Sequence, residues 1–173
     1  MLKKVSILIV ASLVFTLLWF SGLEKAYAHV LAFTTNTIVG SGSGNTSIQV
    51  MENDGNLVFQ VSTLVDGRRG SYPQNAQTLL LPAVLILAWQ VLLFFGLPWR
   101  RALRTASFNL AVFLGFHVIF MLLLTAYYNS EVAKFFFHLM METFYIIALV
   151  IIIKDSIKYP QIWNAKTDRH AYE

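Results

Sequence analysis

Four long apolar stretches run through this sequence, at residues 5–20, 79–97, 106–127 and 132–153. The last three contain 19 to 22 residues, and an α-helix needs roughly 20 to cross a hydrocarbon core about 30 Å thick. Hydrophobic residues make up 57% of the 173 residues and charged residues 13%, whereas soluble domains average about 45–50% and 25%. These patterns exclude a simple soluble domain. They predict an α-helical integral membrane protein with three to four transmembrane helices.

The first apolar stretch admits two interpretations. Lys3 and Lys4 precede it and Ala26-Tyr27-Ala28 follows it, an order of basic, apolar and small residues that is typical of a secretory signal peptide. The alternative is an uncleaved signal anchor. Residues 1–28 are therefore predicted to be a signal peptide or a signal anchor, and both interpretations place the chain after residue 28 outside.

The positions of the basic residues predict the orientation, because lysine and arginine near a span resist translocation. If every apolar stretch crosses the membrane, seven basic residues fall on one side: Lys3, Lys4, Arg100, Arg101, Arg104, Lys154 and Lys158. We therefore predict a multi-pass protein of a prokaryotic plasma (inner) membrane. In this topology residues 29–77 lie outside, residues 78–153 form a three-helix transmembrane bundle, and residues 154–173 form a cytoplasmic C-terminal tail.

Apolar residues alternate on both sides of Asn53-Asp54-Gly55 in the outside segment; they are Ile48, Val50, Leu57, Phe59 and Val61, with Thr63 continuing the pattern. An Asp-Gly pair between alternating apolar positions favours a type I′ hairpin. We therefore predict a small extracytoplasmic β-hairpin segment, with a further strand at residues 29–36. So few strands are marginally stable alone, so the segment should rest on the membrane helices or on a partner. Its role is either a spacer, which we favour, or a docking edge.

Polar residues inside the last two stretches need an explanation, because a charged side chain at the bilayer centre is unfavourable by about 2.5–3.5 kcal/mol. Asn109 and His117 lie eight residues apart in the third stretch, and Lys134, His138 and Glu142 follow at four-residue steps in the fourth. Each set falls on one helix face. We predict a polar intramembrane stripe, with His117 facing Glu142 near the midplane and His138 about one turn closer to the outside.

Three roles are open for this stripe: a structural clasp between helices, a proton or ion relay, and a metal site of His117, His138 and Glu142. No His-x-x-x-His pair supports the metal site, and a copper site at an amino-terminal His29 lacks a second matched histidine outside. The sequence contains no cysteine, which excludes a thiol nucleophile, a disulfide, an iron–sulfur cluster and cysteine-ligated zinc. We predict no metal and no cofactor.

The net charge of +4 is better interpreted by position along the membrane than as a signature of nucleic-acid binding. The predicted partners are therefore the lipid bilayer and another membrane protein, and nucleic acid is not among them.

The predicted layout has one span, an outside β segment, a basic Pro-Trp-Arg-Arg-Ala-Leu-Arg turn at residues 98–104, and spans carrying Asn109 and Phe137-His138. This layout resembles that of the exosortase and archaeosortase group. It is most similar to the small exosortase-associated membrane proteins. The resemblance covers about residues 57–153 and is one of layout and a few residues.

The motifs of the enzymes of that group comprise a cysteine nucleophile, an asparagine followed by an arginine, and a later histidine, so the resemblance implies these residues. Here Asn109 and His138 match, Val112 stands where the arginine is expected, and the cysteine is missing. Ser71 has no base adjacent in sequence and is not a replacement nucleophile. The resemblance implies a non-catalytic accessory protein of a surface-protein sorting or export system. The alternatives are a small subunit of a membrane transporter or redox complex, and an intramembrane catalyst or proton relay using His117, His138 and Glu142.

Overall fold

The computed structural model describes residues 2–40, 46–53, 55–65, 67–76 and 80–163, without the side chains of residues 2, 65 and 142. The chain is mostly helical. Its elements in order are α1 (Leu2–Leu18), a π-helical turn (Trp19–Leu23), α2 (Glu24–Gly40), β1 (Ser47–Asn53), β2 (Asn56–Val65), β3 (Arg68–Asn75), α3 (Pro82–Gly96), α4 (Trp99–Ala126), α5 (Glu131–Lys158) and a 3₁₀ turn (Pro160–Ile162).

Two helical segments of the described chain are long and apolar enough to cross a membrane, Lys3–Gly40 and Trp99–Ala126. A third arises if Glu131–Met141 and Thr143–Lys158, which are inclined by 54°, count as one span. The expected three to four spans are therefore confirmed only in part. The stretch at 79–97 was counted as a span in the prediction but is too short in the structure. Its helix α3 has 15 residues and is about 22 Å long, which is less than the thickness of the hydrocarbon core.

The helical segment at the N-terminus continues well beyond the first apolar stretch. It changes direction at Gly22, whose φ of 129° is a conformation that side chains other than glycine rarely adopt. The strand expected at residues 29–36 is wrong, since α2 covers these positions. The buried residues of α2 include Ala28, Leu31, Ala32 and Thr35, a helical spacing that packs one face against the rest of the protein.

The predicted hairpin around Asn53-Asp54-Gly55 is confirmed. Strands β1 and β2 are antiparallel, Asn53 pairs with Asn56, and Gly55 has a φ of 76°. The sheet gains its third strand from β3 instead of from residues 29–36, through a second turn in which Gly67 has a φ of 75°. The strand order is β1-β2-β3, so β2 lies at the centre of the sheet.

The sheet is attached to the helices by side chains that bond to backbone groups. The Asn36 amide of α2 pairs with both the N–H and the C=O of Ile48, at 2.8 Å each. The Tyr72 hydroxyl donates to Leu124 O at the end of α4, at 2.6 Å. Beneath the sheet, Ile48, Phe59 and Val61 are buried in the same core as the helices. The sheet therefore has a fixed position at one end of the bundle.

The opposite end of the bundle collects segments that are distant in sequence. Lys4 Nζ donates to Gln161 O at 3.0 Å, and Ile162 packs in a buried cluster with Trp89, Leu93 and Leu97. Residues 154–158, the first residues of the predicted cytoplasmic tail, are helical and form the end of α5. Residues 164–173 of that tail lie outside the described residues.

Single-cysteine labelling tests the predicted orientation, and the absence of native cysteine makes each label unique. Gln49 on β1 and Arg100 on α4 are both exposed and lie at opposite ends of the bundle. We expect a membrane-impermeant maleimide to label Gln49→Cys in intact cells and Arg100→Cys only after permeabilisation, since basic residues stay inside. Labelling of Arg100→Cys in intact cells would contradict the orientation.

Candidate functional site

A buried carboxylate joins three helices near the end of the bundle that carries Arg100. Asp155 on α5 is fully buried. Its Oδ2 accepts hydrogen bonds from Trp89 Nε1 of α3 at 3.0 Å and from Asn109 Nδ2 of α4 at 2.6 Å. A buried carboxylate is tolerated only where such donors replace water, so this carboxylate determines how the three helices align.

Lys154 completes what we call the Asp155 network, which consists of Trp89, Asn109, Lys154 and Asp155. Lys154 Nζ donates to Asn109 Oδ1 at 2.8 Å and lies 3.2 Å from Asp155 Oδ1. The Asn109 amide therefore donates to the carboxylate and accepts from the ammonium, which fixes its orientation. The ammonium also lies 5.0 Å from the centre of the Phe108 ring, within the range of a cation–π contact.

Two members of the Asp155 network, Lys154 and Asp155, line a cavity of about 490 Å³ between the first turns of α4 and the last turn of α5. We call this cavity the basic pocket; its lining residues are Arg101, Arg104, Thr105, Phe108, Lys154, Asp155, Lys158 and Tyr159. The Thr105 and Tyr159 hydroxyls are 3.1 Å apart. This hydrogen bond lowers the pKa of the Tyr159 phenol, and the neighbouring Lys158 ammonium acts in the same direction.

His117 occupies a separate position inside the bundle. Its ring is buried, with Nδ1 at 3.0 Å from the Tyr27 hydroxyl of α2. The ring stacks on Phe144 at 4.5 Å between centroids and meets the edge of Phe113 at 4.6 Å. The predicted contact between His117 and Glu142 lies outside the described residues, because the Glu142 side chain is not among them.

Lys134 and His138 lie on the surface near the start of α5. His138 Nε2 is 3.0 Å from the Tyr127 hydroxyl, and Lys134 lies 3.8 Å from Glu131 in an ion pair whose glutamate is 91% exposed. In the described part of the chain, no hydrogen bond or ion pair joins Asn109, His117, Lys134 and His138 to one another. The four described residues of the expected stripe thus belong to three locations.

The metal site and the serine that the sequence raised as candidates can be compared with the described side chains. No cluster of three His, Asp or Glu residues there could hold a metal ion. The Ser71 hydroxyl interacts with Gln60 and Ser62 on the exposed face of the sheet, so its described partners do not include a general base.

Sequence reasoning missed Trp89, Asp155 and Tyr27 as partners of the predicted polar residues. Asp155 lies two residues after the end of the fourth apolar stretch and therefore falls in the predicted tail. Tyr27 falls in the predicted cleavage motif. The distances in sequence, 90 residues from Tyr27 to His117 and 46 from Asn109 to Asp155, leave no local signal for either contact.

No protein-family model matches the chain, and no match was found among curated proteins or solved structures.

Asn109→Ala tests the importance of the Asp155 network. Because the substitution removes a donor from a buried carboxylate and an acceptor from Lys154, we expect a loss of about 1–3 kcal/mol in the free energy of unfolding. The measurement is unfolding of the purified protein in detergent micelles. Ser107→Ala, an exposed position on the same helix, is the control and should change the stability little. Equal stability of both variants would contradict a central role for Asn109.

Proposed function

We propose that this chain is a non-catalytic accessory protein of a prokaryotic plasma membrane, and that it assists a second membrane protein in sorting or exporting surface proteins. The observation that carries the proposal is the attachment of the sheet to the rest of the protein by side-chain hydrogen bonds to backbone groups. A flexible spacer needs no such attachment, whereas a surface that must meet a partner in one orientation does.

Side chains that bond to backbone groups hold the sheet against the rest of the protein. The Asn36 amide occupies the free edge of β1 at Ile48, the Tyr72 hydroxyl reaches Leu124 O, and Asn129 Nδ2 donates to Leu64 O at 3.1 Å. Burial raises the pKa of the Tyr72 phenol, and the nearby Tyr127 and Tyr128 raise it further. Tyr72 therefore stays protonated, and able to donate, throughout the physiological pH range.

The outward face of the sheet is the surface that we assign to the partner. Gln60, Ser62 and Ser71 form a hydrogen-bonded group on it, and Gln49 is exposed on the neighbouring strand. Strand addition at the β3 edge is disfavoured, because Pro73 lacks an N–H donor and Arg68 and Arg69 carry charge at the start of this strand. The proposed contact therefore uses the polar face of the sheet and not its edge.

The described contacts of the two histidines are compatible with a structural clasp between helices. The described neighbours of His117 are aromatic rings and the Tyr27 phenol, and His138 contacts Tyr127. These contacts have the character of an interhelical clasp, which contributes about 0.6–2 kcal/mol.

Complementation in cells that lack this chain tests the accessory role. We expect Gln49→Arg combined with Gln60→Arg to lower the amount of surface-exposed protein, because the added charges obstruct the outward face of the sheet. His138→Phe should leave that amount unchanged. The measurement is mass spectrometry of peptides shaved from intact cells, normalised to the abundance of each variant in the membrane. Loss of surface protein with His138→Phe, together with normal output from the double variant, would contradict the proposal.

We further propose that residues 1–28 stay attached as a signal anchor. Trp19 is 1% exposed, the Tyr27 hydroxyl meets His117, and Lys4 bonds to Gln161. Cleavage after Ala28 would remove all three of these partners from the rest of the protein.

Peptide mapping of the protein isolated from membranes tests this retention. We expect peptides that contain Trp19 and Tyr27 at the same abundance as peptides from α4. An amino terminus at His29 in the isolated protein would show that the segment is cleaved.

A further inference from the structure

The basic pocket carries more positive charge than the surrounding residues neutralise. Arg101, Arg104, Lys154 and Lys158 line it, and Asp155 is the one carboxylate among its described lining residues. The lining has a formal excess of three positive charges. A positive-inside signal requires basic residues near this membrane surface, but it does not require that they converge on one cavity from two helices.

The Asp155 carboxylate is already engaged. Its Oδ2 accepts from Trp89 and Asn109, and its Oδ1 lies beside Lys154. The ion pairs of the described residues are Lys25–Glu52, Lys134–Glu131 and Lys154–Asp155. Within this part of the chain, Arg101, Arg104 and Lys158 therefore have no carboxylate within 4 Å. Mutual repulsion of these cations is relieved when an anion enters between them.

The donors in the pocket match the chemistry of phosphate. Guanidinium groups bind phosphate oxygens in a bidentate manner, and an ammonium binds them as a point charge. Lys154 is held in place by Asn109 Oδ1, and the hydrogen-bonded pair of Thr105 and Tyr159 hydroxyls, which also lines the pocket, leaves one O–H free to donate to a ligand. Part of the site is thus positioned before any ligand enters, which reduces the entropy lost on binding.

The size and position of the pocket bear on what carries the phosphate. A volume of about 490 Å³ lies within the range of small-molecule sites, roughly 300–1,000 Å³, so the pocket accommodates a phosphate with part of the group that it esterifies. Phe108 lines the pocket and is 60% exposed, so an apolar surface adjoins the charged one. Trp99, at the start of α4, is 69% exposed and is a residue type that favours the membrane interface.

We propose that the basic pocket binds a phosphate monoester or diphosphate group, carried either by a lipid headgroup or by a soluble molecule. Arg101, Arg104 and Lys158 bind the phosphate oxygens, and Lys154 is positioned for the same role by the Asp155 network. This binding site is independent of the proposed function in surface-protein sorting.

Native mass spectrometry of the full-length protein in detergent tests the proposal. The protein is titrated separately with phosphatidic acid, with phosphatidylcholine of the same chain length and with inorganic diphosphate. We expect phosphatidic acid to bind about tenfold more tightly than phosphatidylcholine, and the double variant Arg101→Gln/Arg104→Gln to abolish this preference, a loss of about tenfold, because each charge-assisted contact is strong.

Two variants control for charge alone. Arg68→Gln/Arg69→Gln removes the same charge at the opposite end of the bundle, and Arg100→Gln removes one arginine that is at the same end but does not line the pocket. Both should retain the preference for phosphatidic acid. The thermal unfolding midpoint of every variant is measured first, and the exposed positions of Arg101 and Arg104 predict little change.

The two phosphate probes distinguish the sources. Saturable binding of diphosphate that Arg101→Gln/Arg104→Gln abolishes supports a pocket open to soluble phosphates, whereas binding of phosphatidic acid alone supports a lipid ligand. The proposal is overturned if neither probe binds better than phosphatidylcholine. It is equally overturned if Arg100→Gln and Arg68→Gln/Arg69→Gln lose as much binding as the pocket variant.

Discussion

The bonds of the Asp155 carboxylate hold together helices that otherwise meet mainly through apolar side chains. In a bilayer, apolar packing between helices gains little from the hydrophobic effect, because lipid tails are as apolar as leucine. Directional bonds then decide which side chains face one another. Asp155 contacts α3 through Trp89 and α4 through Asn109. The alignment of three helices, and with it the shape of the basic pocket, follows from this carboxylate.

The local parts of the fold could be predicted from the sequence, and the parts set by packing could not. Asp54-Gly55 predicts its hairpin because the turn depends only on adjacent residues. Asp66-Gly67 is a second pair of the same kind, and it precedes β3, the strand that replaces the one expected at residues 29–36. Those residues are helical because α2 packs its buried face against β1 and α4. Their β-branched residues alone favour a strand.

In the candidate site, too, individual residues could be predicted from the sequence but their contacts between distant helices could not. Buried polar residues can be recognised individually, since Asn109 and His117 are unfavourable in a membrane unless paired. Their partners Asp155 and Tyr27 cannot, because the pairing depends on how distant helices pack. The charge of Lys154 and Lys158 predicts an orientation in the membrane. Charge along the sequence does not reveal that these two lysines converge with two arginines of α4 on one cavity.

The position of Asp155 near the end of α5 has a consequence for assembly. Chains are synthesised from the N-terminus, so α3 and α4 exist before the carboxylate that their Trp89 and Asn109 side chains bond in the folded protein. Until α5 emerges, the Trp89 indole N–H and the Asn109 amide must find temporary partners. The last helix to be made therefore supplies the carboxylate that completes the bundle. A chain released before residue 155 lacks the Asp155 hydrogen bonds, which distinguish the native arrangement from other pairings of the same helices.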